Sequence, residues 1–296
     1  MLVRREYRWN KCRAVAIVEG VVGVVVVALF LLLLLGLILP SLGGKHANLG
    51  LKCETQLSQL FKAMTLWSQD HGGEFAVPTV LDQATAARCA QRGDSTSNVH
   101  SVLIHNLYYT PQLTVCPLEA NQWVTEDTDY DYGNSPGNSA TKLSPSDTWD
   151  YDFSCDITGA EKSARTGKWR SNVSYANLGL AGQRMKNQGR DVLDSHFLVM
   201  SDRGPMNGMM ISKSQSAKNH SDGKWWAGNV VYGDGHADFM KQRQETGLEF
   251  VLPGMEKSVS GKPDNIFADD DPVNGSDIYL SVWGDCIDGN IEALWD

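Results

Sequence analysis

AVAIVEGVVGVVVVALFLLLLLGLILP, residues Ala14 to Pro40, carries one charged side chain, Glu19, and is otherwise apolar or small up to its closing proline. At about 1.5 Å per residue, a helix over this run is long enough to cross a hydrocarbon layer of roughly 30 Å. Arg4, Arg5, Arg8, Lys11 and Arg13 precede it. That basic leader predicts a cytoplasmic N-terminus, with residues 41 to 296 carried across. A cleaved signal peptide would have an apolar region of about 7 to 15 residues and a small-residue cleavage site, so the longer run here favours a retained anchor. A carboxylate in such a helix is costly, so Glu19 is expected to be paired or to reach water at an interface.

The 296 residues carry a net charge of −9, and the leader is basic, so the remainder is strongly acidic. Such a body is a poor partner for nucleic acid, whose phosphates need clustered Lys and Arg. Acidic clusters can instead hold divalent cations. Of the six cysteines, Cys12 precedes the apolar run, while Cys53, Cys89, Cys116, Cys155 and Cys286 follow it. In an oxidising compartment disulfides are the expectation, and an odd number leaves at least one thiol free or paired between chains. No pair has CxxC spacing, which argues against a thiolate zinc site.

Beyond Pro40, Gly43 and Gly44 loosen the chain, and helical periodicity resumes at Leu57, Leu60, Phe61, Met64 and Trp67. The spacing predicts an amphipathic helix that lays one apolar stripe on a globular body and stops at His71, Gly72 and Gly73. A second short helix is expected over about 98–107. A long surface excursion is expected over 127–154, which is rich in Asp, Ser, Gly, Asn and Pro. Strands are expected around 197–200, 209–211, 229–232 and 237–240, with Gly233, Asp234 and Gly235 turning the chain between the last two. The expected fold class is α+β, with a long N-terminal transmembrane helix continuing into an amphipathic helix packed on an antiparallel sheet with long loops. Its parts are a leader over 1–14, a span over 15–40, an amphipathic region over 41–73 and an extracytoplasmic domain over 74–296.

The basic leader, the glutamate early in an apolar helix, the closing proline and the amphipathic continuation resemble type IV pilins and pseudopilins. More specifically, the chain resembles prepilin-like proteins that end in a His…Asp-Gly processing-associated domain. The stretches that carry the resemblance are Cys53, Leu57, Gln59 and Leu60, then Asp70, His71 and Gly72, then Val115, Cys116 and Pro117. They continue with Ser174, Tyr175 and Ala176, then Ser201, Asp202 and Arg203, then Asn219 and His220, and finally Asn229 through His236. Ala14 and Val15 stand where the family pattern has glycine and phenylalanine around the processed bond, and the span from Glu19 to Pro40 is about one helical turn longer than the pattern. The resemblance implies cleavage between Ala14 and Val15 with N-methylation, and an unprocessed, permanently anchored relative is the alternative.

Under that resemblance Glu19 meets the α-amino group of a neighbouring subunit's processed N-terminus and sets axial register. Cys53 and Cys116 occupy matched positions, for which the resemblance implies a disulfide stapling helix to body, with two buried thiols as the alternative. His220, Asp222, Asp234 and His236 offer imidazole and carboxylate ligands for a transition metal if the hairpin gathers them. Asp264, Asn265, Asp269, Asp270, Asp271, Asn274 and Asp277 form an oxygen-rich stretch without EF-hand spacing. Pseudopilins include calcium-binding members, so the resemblance offers calcium as a cation for this stretch, with Asp269 and Asp271 as its ligands, and a solvated acidic loop without an ion is the alternative. Trp225 and Trp226 could stack on sugar rings. No nucleophile elbow, Walker loop or His-Glu-x-x-His motif is present, and no enzymatic activity is expected. The implied function is a structural subunit of a pilus-like fibre or type II secretion pseudopilus, single-pass in the cytoplasmic membrane. Its partners would be related subunits, membrane lipid, a prepilin peptidase and an assembly platform. The alternative is an anchored extracytoplasmic metal- or carbohydrate-binding module.

Overall fold

The computed structural model describes residues 21–34, 45–78, 94–132, 150, 153–158, 171–179, 193–209, 214–241, 249–250, 264–271, 277–284 and 292–295. The chain divides into two compact units, Met1–Asn48 and Leu49–Asp296. In the first, residues 21–34 are helical and every one of them is exposed.

No helix among the described residues is long and apolar enough to cross a membrane. The long N-terminal transmembrane helix expected from the sequence is therefore not seen. The helical stretch 21–34 measures about 21 Å, short of the roughly 30 Å of a hydrocarbon core. The remainder of the expected span, 15–20 and 35–40, lies outside the described residues. The next helix, α1 (Lys45–Asp70), has the length, at 26 residues. However, Lys52, Glu54, Lys62 and a run of glutamines and serines make it polar along one side.

The buried face of α1 is the stripe the periodicity predicts. Cys53, Leu57, Leu60, Phe61, Met64 and Trp67 are buried in the main core, while Leu51 and Leu66 face out. The helix stops where expected, because Gly72 and Gly73 take positive φ of 70° and 88°, a conformation glycine adopts without a Cβ clash. Helix α2 (Thr96–His105) is capped by Ser95, whose hydroxyl accepts from the backbone N–H of Asn98 at 3.3 Å.

The α+β class itself holds, with helices against an antiparallel sheet. Strands β1 (Tyr175–Leu178), β2 (Leu198–Asp202), β3 (Ala227–Tyr232) and β4 (Ala237–Lys241) run as an antiparallel meander. Strands β5 (Glu249–Phe250) and β6 (Asp264–Asn265) form a separate two-stranded ladder. The chain then returns, placing β7 (Leu280–Trp283) beside β1, with β8 (Ala293–Leu294) outside it. The six-stranded order is β4-β3-β2-β1-β7-β8. Strands β1, β2 and β7 are buried at every position.

Ser58 of α1 donates to the carbonyl of Gly235 in the β3–β4 turn at 3.1 Å, and Tyr175 of β1 donates to Gln56 at 3.0 Å. These bonds tie α1 to the sheet, and Cys53 on α1 lies within 4.8 Å of Asp202 at the end of β2. Of the expected strand at 209–211, only Met209 is described. It follows a 3₁₀ turn (Met206–Gly208), is 59% exposed and belongs to no strand.

Candidate functional site

Strand β2 ends in Asp202, and antiparallel pairing sets it beside Asn229 of β3. The Asp202 carboxylate accepts from the Asn229 backbone N–H at 2.6 Å and from its side-chain amide at 2.8 Å, both on Oδ2. Helix α3 (Ser216–Asn219) is a single turn, and the residue after it, His220, stands with Nε2 3.0 Å from the same Oδ2. The side chains of both residues are about 2% exposed. The other oxygen, Oδ1, is buried and accepts no hydrogen bond.

Cys116 reaches the same point from a different direction. A 3₁₀ turn (Pro111–Thr114) leads into it, and its backbone N–H donates to the Ser174 hydroxyl at 2.6 Å. A disulfide joins it to Cys53 of α1, with Cα atoms 5.3 Å apart, so the implied staple between helix and body is present. Cys116 Sγ lies 3.6 Å from His220 Nε2. One ligand-type atom from each of Cys53, Cys116, Asp202 and His220 thus falls within 4.8 Å of all the others.

A second buried node adjoins this one residue for residue. Arg203, next to Asp202, donates from Nε and Nη2 to Glu119 at 3.0 and 2.5 Å, and both side chains are under 5% exposed. Asn219, next to His220, accepts from the Ala120 N–H at 2.9 Å and donates to Glu119 at 3.4 Å. Trp226 closes the node by donating its indole N–H to the Arg203 carbonyl at 2.9 Å. The Ser201–Arg203 and Asn219–His220 stretches are therefore two faces of one buried polar seam.

Several expected sites take a different form. Asp234 and His236 do not join His220. They sit exposed in the β3–β4 turn, where His236 Nδ1 is 2.5 Å from Asp234 Oδ1 and the imidazole stacks on Tyr232 at 4.0 Å. Burial pushes the Asp234 carboxyl up, but the backbone and side-chain N–H groups of His236 outweigh that and hold it below its ordinary range. Asp222 faces solvent near Lys224.

Among the described residues the acidic stretch gathers no three-ligand cluster. Asp269 and Asp270 are exposed, whereas Asp264, Asp271 and Asp277 are buried. The Asp264, Asp270 and Asp277 carboxylates accept from the backbone N–H groups of Ile278, Asn265 and Asp270 respectively, so they shape the loop. Asn274 lies outside the described residues.

Trp226 is fully buried and edge-on to Phe267, leaving only Trp225 at the surface, so the two indoles cannot form a sugar platform together. Ala14, Val15 and Glu19 lie outside the described residues. Cys155 is buried, and its thiol donates to the Trp283 carbonyl at 3.0 Å. The cavity lined by Phe61, Met64, Val99, Asn177 and Trp283 holds about 30 Å³, room for about one water.

Nothing local in the sequence marks Asp202 or Glu119 as a site residue. Each was visible as an acidic residue inside or beside a quoted stretch, but their partners lie 18 and 84 residues away.

No family model matches the chain, nor does any curated protein or solved structure.

Proposed function

We propose that this chain is a pilin-like structural subunit whose N-terminal segment associates with identical or related subunits while the stapled body is displayed outside the cytoplasm. The carrying observation is the helical stretch 21–34. Its valines, leucines and Phe30 are 38–70% exposed, with no polar side chain on any face. A helix that is apolar all round is a buried helix in its working state, so it calls for cover, and like helices supply it. The Cys53–Cys116 disulfide supports a body that works in an oxidising compartment. Under this reading a prepilin peptidase acts between Ala14 and Val15, and an assembly platform receives the product.

The test places a photo-crosslinking residue at Val24 or Leu31 in the full chain in cells. The expected result is a ladder of crosslinked subunits that collapses when Val25 and Val27 are both changed to Asp. Exclusive monomeric or lipid adducts would overturn the reading.

A further inference from the structure

We propose that the reduced chain holds a divalent zinc-type ion at Cys53, Cys116, His220 and Asp202, so that the Cys53–Cys116 disulfide and a bound metal are mutually exclusive states of one buried centre. A tetrahedral ion bound at about 2.0 Å to nitrogen or oxygen and about 2.3 Å to sulfur spaces its ligand atoms roughly 3.3–3.8 Å apart. Here Nε2 of His220 is 3.0 Å from the Asp202 carboxylate and 3.6 Å from Cys116 Sγ, and all four groups lie within 4.8 Å of one another.

The donors also suit the ion chemically. Two thiolates, an imidazole nitrogen and a carboxylate oxygen are all established zinc ligands, and two anionic sulfurs favour zinc over hard cations. Asp202 faces His220 with Oδ2, which also accepts from Asn229, and its second oxygen, Oδ1, is buried without a hydrogen bond, so the carboxylate has acceptor capacity left for an ion. Each donor comes from a different element. Cys53 rides on α1, Cys116 follows the 3₁₀ turn, Asp202 ends β2 and His220 follows α3. The fold therefore assembles the set before any ion arrives. With the two Cα atoms 5.3 Å apart, rotation of the cysteine side chains is enough to separate the sulfurs.

A dithiol reductant gives two electrons and two protons to the disulfide and leaves as its own cyclic disulfide, yielding two thiols at Cys53 and Cys116. The divalent ion then displaces both thiol protons, which pass to solvent, and bonds to the two sulfurs, His220 and Asp202. With the reductant's cyclic disulfide as oxidant the steps reverse: protons from solvent release the ion, and the two thiols pass two electrons and two protons to the cyclic disulfide as the Cys53–Cys116 bond forms.

The experiment uses the full chain, reduced with a dithiol and then freed of it under anaerobic conditions, with Zn²⁺ alone and then Co²⁺ alone as probes. Reduced protein should retain about one equivalent of Zn²⁺ that the disulfide form of the same chain does not. The cobalt form should show thiolate-to-metal charge transfer with intense tetrahedral d–d bands. The paired variant Cys53→Ser with Cys116→Ser should lose those bands, and His220→Gln should weaken Zn²⁺ binding by about tenfold or more. Because oxidised and reduced wild type share every residue, their comparison needs no variant to fold. Equal Zn²⁺ retention by the two forms would overturn the proposal. So would charge-transfer bands that survive the paired serine variant, which would place the ion on the other cysteines.

Discussion

Arg203 and Glu119 form a two-pronged ion pair with side chains 2% and 4% exposed, and such a pair is more costly to break than to omit. Removing the carboxylate takes both of these charge-assisted bonds from a guanidinium whose side chain is 2% exposed. Glu119→Ala should therefore lower unfolding free energy by about 3–5 kcal/mol, read by urea denaturation followed by tryptophan fluorescence. The change is expected to exceed that of Asp222→Ala, whose carboxylate faces solvent near Lys224.

His100 is among the buried polar side chains. It is fully buried on α2, with Nδ1 2.6 Å from the Tyr109 hydroxyl and Nε2 3.5 Å from the Asn177 amide. Burial lowers its pKa from 6.5 to about 3, so the ring is neutral in the folded protein. Between those two values the unfolded chain binds a proton at this ring and the folded chain does not. Stability is thus lost as pH falls through 6.5 toward 3, by up to about 1.4 kcal/mol per pH unit from this group. A His100→Gln variant should unfold with a shallower pH dependence than wild type across that window. Identical slopes in paired urea titrations would show that the ring titrates freely.

At the scale of elements, the staple between α1 and the segment before Pro117 closes a separation of 63 residues. A loop of that length corresponds to roughly 4 kcal/mol of denatured-state entropy. Replacing both cysteines by serine should cost about 2–4 kcal/mol, seen as a lower urea midpoint, with α1 among the first segments to exchange its amide hydrogens. Strand β3 carries a tighter constraint. A Cβ on Gly228 would stand 2.6 Å from the Trp226 ring and 2.8 Å from Asp202 Cβ, so Gly228→Ala should cost about 1–3 kcal/mol through overpacking.

These elements differ in how far the sequence exposes them. Helices α1 and α2 and the β3–β4 hairpin were legible because each carries a local cue: a 3.6-residue apolar stripe, a glycine stop, or a glycine turn between two short apolar runs. Strands β1 and β7 were not. They are four residues long and buried at every position, so neither an alternating pattern nor a turn on both sides marks them. His220 was legible as a ligand-type residue, but periodicity could pair it only with near neighbours such as Asp234. Its partner Asp202 ends β2 while His220 follows α3, so the two meet only through the folded chain, in a contact that no spacing encodes.

The whole molecule pairs a polar-seamed, stapled body with an N-terminal unit whose described helix is apolar on every side. Leu49–Asp296 holds the core and the disulfide, so substitutions within 21–34, where every residue is exposed, should leave the urea midpoint of the body unchanged. Assembly is where they should register. If copies pack through their apolar helices, Glu19 enters surroundings with little water, and its carboxylate is tolerated only opposite a cation such as a neighbour's α-amino group. Glu19→Ala removes one partner of that pair and leaves the amine without its counter-charge. In cells that co-express tagged wild-type and Glu19→Ala chains, the variant should enter crosslinked assemblies at least about tenfold less often than wild type. Glu19→Asp, which keeps the charge on a shorter stem, should recover part of that loss. The N-terminal mass of the native chain supplies the matching check, since a free, methylated amine at Val15 provides the partner that this pairing requires. Incorporation of Glu19→Ala at the wild-type frequency would mean that the helices stack on apolar contact alone.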